Sequence, residues 1–384
     1  MNLTGELNEE ERIILATVEE YLKSRIAPMQ AKWNSERQFP GQVMHDLAGL
    51  ILPDAVPLPG GERLSEVTMG LISEAMGKHE FPIPAFLTIH FGKLLPMIAD
   101  PDLMHALLRR FHSGDLVICG AFTEPGYGSD AASIITAARR VDSGYSISGE
   151  KSYVSSPGIA NLHIVSARTG TSDSGQRHKG ISLFAVESGA SGLEAYEIEN
   201  MASVFKGDFG GIRLSNVGVP AGNMIGNENG GFDILMKALG VQRVHVALYA
   251  IGIAESALAD AIDHAKSRNV FGKPISKYEA ISFRLAEDWA KIESVRMMAF
   301  KALAREDAGL PNANESAAVK GYGCETAFET ASHALQTLGA SGYVKTSSME
   351  RKFRLSRGFL IGDGTPEVQK LIIARNLFGR EFAP

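Results

Sequence analysis

The sequence predicts a multidomain α+β protein that is mainly helical, with an N-terminal helical domain over 1–118, a middle antiparallel β-domain over 119–226 and a C-terminal four-helix bundle over 227–384. Three observations predict it. Apolar residues recur at helical spacing through the first third of the chain and again after Pro220. Between Cys119 and Pro220, strand-length β-rich runs alternate with Gly, Ser, Asp and Pro clusters. At about 150 residues per domain, 384 residues accommodate two to three domains.

Leu7 and Asn8 precede an acidic turn, Glu9, Glu10 and Glu11, that suits the positive end of a helix dipole; Ile13, Ile14, Val18, Tyr21 and Leu22 follow at helical spacing. Pro28 and Pro40 punctuate the chain beyond. PLPGGERLS at 57–65 reads as a surface loop, and apolar runs around Leu71 and over 104–111 read as helices. Strands are expected over 134–141, 145–148, 162–167, 181–186 and 212–219, where β-branched residues concentrate. Asp142-Ser143-Gly144 has the composition of a hairpin turn, and TGTSDSGQRHKG at 169–180 that of a loop. After Pro220, Val244, Ala247, Leu248, Ile251, Leu258 and Ile262 share one helix face, and Ile281, Leu285, Trp289, Ile292, Val295, Ala299 and Leu303 another. Further helices over 314–338 and 365–378 complete four amphipathic helices with short connections, the requirement for a bundle.

Hydrophobic residues at 45% and charged residues at 21% set the chain apart from disordered sequences. Lys plus Arg number 38 against 44 Asp plus Glu, a net −6, so no basic surplus is available to a nucleic acid backbone. Cys119 and Cys324 form no CxxC pair, and the ten His residues include no HExxH and no Cys/His cluster; neither a disulfide framework nor a metal site is expected. The opening MNLTGELNEEERII is acidic where a leader would be basic, and no uninterrupted apolar run reaches the roughly 18 residues of a membrane span. A cytoplasmic protein is expected, neither exported nor membrane-spanning. GxSxG, GxxxxGK[ST] and GxGxxG are all missing, so a nucleotide cofactor would have to be held without a P-loop or a Rossmann fold.

AFTEPGYGSD at 121–130 combines hydroxyls, a Pro-fixed turn and two glycines that let backbone approach a ligand. Alone it reads as a tight turn. It is followed, in order, by GEKSYVSSPGIANLHIV at 149–165, VGVPAGNMIGNENGGF at 217–232, SRNVFGKPI at 267–275, ALQTLGASGY at 334–343 and IGDGTPEVQKLIIAR at 361–375. Together these six segments resemble the acyl-CoA dehydrogenase family over nearly the whole chain.

The resemblance implies a homotetramer that binds FAD, removes an α-proton from an acyl thioester, passes hydride from the β-carbon to flavin N5 and delivers electrons to an electron-transferring flavoprotein. It places Phe122 and Thr123 at the flavin, Thr123 on the pyrimidine edge, and Ser129 toward the FAD pyrophosphate or the substrate. Tyr153 stands where the family usually has Trp against the flavin ring, and Ser155 where it usually has Thr near N5. Arg268 and Phe271 match residues that a neighbouring subunit offers to FAD. Gln336 and Gly339 match the second FAD-contacting segment, Thr365 and Glu367 the cofactor-side positions after the catalytic loop, and Arg243 the position that contacts CoA.

Two departures stand out. The family's usual base is a Glu immediately before a Gly-Thr pair; here Asp363 holds that place, a carboxylate still able to take a proton but shorter by about one 1.5 Å carbon–carbon bond. The residue before Arg243, where some members carry the base, is Gln242, which takes no proton at neutral pH. In addition, MASVFKGDFGG at 201–211 lacks the Arg-x-Ser-x-Thr pattern of the CoA adenine site and offers Lys206 and Asp208 instead, which admits an acyl carrier protein as the thioester carrier. The Asp base also admits a nitroalkane-oxidase-like flavoenzyme with O₂ as acceptor. A flavoprotein of the same fold without dehydrogenase activity is disfavoured by the acidic charge balance.

Overall fold

The structure, a computed structural model, describes residues 7–170, 176–379 and 381–383. Of the loop expected over 169–180, residues 171–175 lie outside the described residues, as do the first six residues of the acidic N-terminus. The helices are, in chain order, α1 (Glu9–Tyr21), α2 (Gln30–Glu36), α3 (Gln42–Ala48), α4 (Leu52–Ala55), α5 (Glu66–Lys78), α6 (Ile83–Gly92), α7 (Pro101–His112), α8 (Gly231–Ser267), α9 (Glu279–Asp307), α10 (Ala313–Leu338), α11 (Ser348–Phe359) and α12 (Pro366–Phe378). The strands are β1 (Ile118–Ala121), β2 (Ala137–Val141), β3 (Gly144–Ser155), β4 (Leu162–Arg168), β5 (Ile181–Glu187), β6 (Leu193–Glu197), β7 (Phe209–Pro220), β8 (Met224–Ile225), β9 (Asn269–Val270) and β10 (Lys273–Pro274). They form two compact units, one of Met1–Lys32, Leu64–Phe81 and Leu239–Pro384, the other of Trp33–Arg63 and Pro82–Ala238.

The first unit is helical. Asn8 caps α1 by accepting the Glu11 N–H at 2.8 Å while the Glu11 carboxylate accepts the Asn8 N–H at 3.2 Å, a reciprocal capping box. The inward stripe of α1 is Leu15, Val18 and Leu22; Ile13, expected on the apolar face, is 60% exposed, because it lies on the opposite side of the helix from Leu15. Tyr249 and Gly252 of α8 meet Gly77 and Glu74 of α5 so closely that a Cβ on either glycine would overlap backbone, which brings the two helices into direct contact. By length and mean hydropathy (1.3) α8 is apolar enough to cross a membrane, a feature that the search for uninterrupted apolar runs passes over. Of that window 56% is buried inside the protein, as in the central helix of a bundle.

Leu285, Ile292, Val295, Ala299 and Leu303 of α9 are buried as expected, whereas Trp289 is 59% exposed. The expected four helices are accompanied by α11, whose sequence SMERKFRLSRGF mixes buried apolar residues, Met349, Leu355 and Phe359, with many basic ones. Polar contacts add to that packing: Arg351 reaches Glu80 at 2.5 and 3.0 Å, and Lys352 reaches Asp260 at 2.6 Å.

The second unit packs α2, α3, α4, α6 and α7 with an eight-stranded sheet of order β6-β7-β3-β2-β4-β5-β8, with β1 beside β4. The sheet was expected to be antiparallel. It is mixed, since β1 and β2 run parallel to β4 while the other pairs are antiparallel. β1 and β8 fall outside the expected strands because they are only four and two residues long, and β6 because its residues are mostly exposed and do not alternate between faces. Val141 pairs with Gly144 across Asp142-Ser143, the tight hairpin expected there.

Two irregular segments carry residues expected at the site. One is the 122–136 segment that joins β1 to β2 in the sheet unit; the other is the 360–364 turn that joins α11 to α12 in the helical unit.

Candidate active site

In the helical unit, α11 ends at Phe359 and α12 begins at Pro366, where Thr365 caps it by accepting the Val368 N–H. Between them, Asp363 (φ 56°) and Gly364 (φ 93°) are consecutive left-handed residues, a conformation that a side-chain-bearing residue keeps only when its surroundings hold it. The hold comes from three helices. Arg243 Nε of α8 donates to the Asp363 carbonyl at 3.1 Å. Gln369 Nε2 of α12 donates to the Asp363 carbonyl at 3.3 Å and to the Gly364 carbonyl at 3.0 Å. Lys320 Nζ of α10 donates to the carbonyls of Phe359 at 2.8 Å and Gly364 at 3.1 Å.

With its backbone held this way, Asp363 is half-buried, and Gln242 Nε2 donates to its Oδ2 at 3.3 Å. Burial lowers the pKa of Arg243 and the neighbouring Asp363 charge opposes that; the guanidinium remains a cation at neutral pH. The arrangement offers one carboxylate, a neutral amide donor on one of its oxygens and a fixed cation behind its backbone. That suits a general base whose position, rather than whose flexibility, sets its reach.

In the sheet unit, Lys151 of β3 is fully buried and pairs with buried Glu124 at 2.8 Å. Lys151 Nζ also donates to the Phe122 carbonyl and the Ser166 hydroxyl, both at 3.2 Å. Glu124 accepts the N–H groups of Ile135 at 2.8 Å and Thr136 at 2.9 Å, and Arg168 donates to the carbonyls of Ala132 at 2.9 Å and Ile134 at 3.1 Å. The two ends of the 122–136 segment are thereby tied to the sheet. Burial of Lys151 lowers its pKa to about 8 despite the attraction of Glu124; burial of Glu124 disfavours its charge, but Lys151 and the two N–H donors outweigh that and lower its pKa. Gly149 has φ 152°, and a Cβ there would press on Thr136, so glycine lets the end of the segment close onto β3.

The Thr123 carbonyl accepts the Ser152 N–H at 2.9 Å, which places Thr123 beside the end of β3 that carries Tyr153 and Ser155. Tyr153 sits at a bulge where the register against β7 shifts between Ser152 and Val154; its φ is 56° and its ring is 58% exposed. Phe122 packs edge-on against Phe91, and Ser129 is exposed farther along the segment.

The remaining candidates lie elsewhere in the helical unit. Arg268 is exposed after α8, and Phe271, at the tip of the β9–β10 hairpin, is 94% exposed. Gln336 and Gly339 are exposed at the end of α10, and Glu367 is exposed in the first turn of α12, where Thr365 lowers its pKa. In the 201–211 segment the Asp208 carboxylate turns inward to accept the N–H groups of Val204 at 2.7 Å and Phe205 at 2.8 Å, so it is spent on the loop itself. A further constellation, Ser73–His245–Glu66, has triad-like spacings of 3.1 and 2.8 Å, but all three side chains are buried and it serves to tie α5 to α8.

Three family models match the chain: acyl-CoA dehydrogenase N-terminal domain over residues 8–113, middle domain over 119–217 and C-terminal domain over 229–378. The chain belongs to the acyl-CoA dehydrogenase family. It is 31% identical to isobutyryl-CoA dehydrogenase of Dictyostelium discoideum over 97% of this chain and 90% of that protein. To cyclohex-1-ene-1-carbonyl-CoA dehydrogenase of Geobacter metallireducens it is 32% identical, over 97% and 98%. The crystal structure of acyl-CoA dehydrogenase from Geobacillus kaustophilus superposes with a TM-score of 0.91 at 27% identity, covering 97% of this chain and 99% of that one.

The structure brings to the candidate residues four side chains that the sequence did not single out: Lys320 and Gln369 behind the Asp363 turn, and Lys151 with Glu124 beneath the 122–136 segment. Lys151 and Glu124 stand inside the motifs GEKSYV and AFTEPG, but their pairing is a contact over 27 residues that no local pattern reveals.

Proposed function

We propose that this chain is an FAD-dependent dehydrogenase that introduces an α,β-double bond into an acyl thioester, with Asp363 as the base that takes the α-proton. The observation that carries this reading is the 360–364 turn, in which one half-buried carboxylate is held by its backbone from three helices. The sheet unit offers a donor set suited to a flavin. Thr123 and Ser155 supply hydroxyls, Tyr153 an exposed aromatic face, and Phe122 an apolar one. At Gly126 an added Cβ would meet no protein atom within 4 Å, so the chain's own packing does not require glycine there and its backbone is open to a bulky ligand. Bound FAD supplies the two-electron acceptor for the β-hydrogen.

Asp363 accepts the α-proton on a carboxylate oxygen, while Gln242 donates to Oδ2 and so turns the pair of oxygens in one direction. Arg243, fixed by its Nε, and Ser129 are assigned to the thioester. Thr365, Glu367, Gln336 and Gly339 are assigned to the cofactor side. We further propose a homotetramer in which Arg268 and Phe271 serve the FAD of a neighbouring subunit; the 94% exposure of Phe271 and the 59% exposure of Trp289 favour a partner surface there. An electron-transferring flavoprotein is the proposed acceptor.

The test is anaerobic titration of the FAD-loaded protein with butyryl-, isobutyryl- and cyclohexanecarbonyl-CoA, read as bleaching of the flavin band. Bleaching by at least one thioester is expected. No bleaching by any of them, with peroxide formed from nitroethane and O₂, would replace this reading with the nitroalkane one. The same acyl chain on CoA, pantetheine and a carrier protein then identifies the carrier: kcat/KM more than about tenfold better on CoA, or about 1.4 kcal/mol, means that the adenine is bound. Arg268→Ala is expected to weaken FAD retention by about 1.5–3 kcal/mol, the worth of a charge-assisted hydrogen bond. Unchanged retention on gel filtration removes Arg268 from the site.

A further inference from the structure

Lys320 is fully buried on α10 and forms no ion pair among the described residues. Its ammonium donates to the carbonyls of Phe359 and Gly364, which lie on either side of the turn that carries Asp363, and also meets the buried thiol of Cys324. The first of these belongs to the last turn of α11, where carbonyls lack helical partners and a cation is favoured. The second belongs to the residue after Asp363. Gln369, 1% exposed, donates through one nitrogen to the Asp363 and Gly364 carbonyls; turning its amide over would set oxygen against both, so the orientation is fixed by the turn.

We propose that Lys320 and Gln369 are positioning residues for Asp363: they close the two ends of the turn and hold the left-handed backbone from which the short carboxylate projects. An aspartate has one methylene less than a glutamate with which to correct a misplaced backbone. Its carboxylate therefore inherits any displacement of its own Cα, and the clamp acts on the carbonyls at and just beyond that Cα. Arg243 contributes a third hold, but it also faces the thioester in the reading above, whereas Lys320 and Gln369 are buried and touch only the chain.

The inference rests on Asp363 being the base, and the experiment separates the two claims. Stopped-flow reduction of the FAD-loaded enzyme by butyryl-CoA is compared for wild type, Lys320→Met, Asp363→Asn and the double variant. Lys320→Met is expected to lower the limiting reduction rate by about tenfold or more, with half-saturation changed by less than about threefold and the flavin spectrum unchanged. In the Asp363→Asn background the same substitution is expected to change the residual rate by less than about twofold, because a clamp on an absent base has nothing to position. Equal losses in both backgrounds, or no loss with Asp363 present, overturn the positioning role while leaving the base in place. A wild-type rate in Asp363→Asn overturns the base and this inference with it. Gln369→Met, run through the same cycle, decides the matter if Lys320→Met does not yield folded holoenzyme.

Discussion

The 122–136 segment and the 360–364 turn are both irregular, and each is fastened by one fully buried lysine, yet the two cations are neutralised differently. Lys151 has a carboxylate, Glu124, at 2.8 Å; Lys320 has carbonyls and the buried thiol of Cys324, whose pKa burial raises. A carboxylate placed against Lys320 would add a second carboxylate beside Asp363 and compete for the proton that Asp363 takes in the proposed reaction. Carbonyls at a helix end balance the charge without adding a base. The proposed reaction moves no proton in the sheet unit, where an ion pair does the fastening and Glu124 also receives the N–H groups at the far end of the segment. The kind of neutralisation thus accords with the chemistry proposed for each segment: binding in one, proton transfer in the other.

The largest effect that tests this contrast is chemical. Asp363→Asn keeps the shape and the hydrogen bond from Gln242 but removes the ability to take a proton. Flavin reduction by substrate is expected to fall by about 10²–10⁴-fold, the usual worth of a positioned base, with FAD content unchanged. Loss of FAD instead of rate would show that the turn belongs to cofactor binding and would erase the difference between the two segments.

Next in size is the buried pair. Lys151→Met leaves Glu124 as an unpaired buried charge and is expected to destabilise the fold by about 3–5 kcal/mol in urea unfolding and to loosen FAD; Lys151→Met with Glu124→Gln is expected to recover most of the stability. A double variant no better than the single one would mean that the pair is not the origin of the loss. The same lysine sets a pH signature. Its folded pKa is lowered to about 8, so between pH 8 and its ordinary value of 10.5 the unfolded chain holds more protons than the folded one. The contribution of Lys151 to stability therefore rises with pH in that window, at up to about 1.4 kcal/mol per pH unit, and Lys151→Met removes the rise. Glu124, with its pKa lowered, contributes above its ordinary value of 4.5 and loses that contribution as the pH falls.

Much of the scaffold is legible in the sequence because burial imposes periods on it. The stripes of α8 and α9 and the runs that become β4, β5 and β7 could be read directly. Trp289 breaks the stripe of α9, and Ile13 that of α1, since an apolar residue at nearly the right spacing can still face outward. α11 was hidden because its few apolar anchors, Met349, Leu355 and Phe359, are interspersed with basic residues, two of which are themselves buried in ion pairs. Around the candidate site, the Gly-Asp-Gly composition showed a turn with a carboxylate, and the roles assigned to it came from the resemblance. What held that turn was not visible: Lys320 lies 39 and 44 residues from the carbonyls it binds, and a buried lysine has the same letter as an exposed one.

The smallest expected effect concerns a side-chain-bearing residue in left-handed conformation, which the 360–364 turn has at Asp363 and the strand beside the 122–136 segment, β3, has at Tyr153. At Asp363 three side chains hold the backbone; at Tyr153, the left-handed residue is the extra one of a bulge, two residues beyond Lys151 and 58% exposed. The left-handed conformation costs a residue with a Cβ about 1–2 kcal/mol, and glycine loses about 0.5–1 kcal/mol of that advantage through its freer unfolded chain. Tyr153→Gly is therefore expected to raise the unfolding free energy by about 0.5–1 kcal/mol, less whatever the tilted contact with Phe209 at 6.4 Å contributes. FAD should nevertheless be held less tightly, because the aromatic face is gone. Tyr153→Phe keeps both strain and ring, so it should match wild type in stability and in FAD retention. A glycine variant that is more stable and binds FAD as well as wild type would remove Tyr153 from the cofactor's surroundings. One that is less stable would show that the bulge is relaxed as it stands, and that the left-handed backbone of Tyr153, unlike that of Asp363, needs no side chains to hold it.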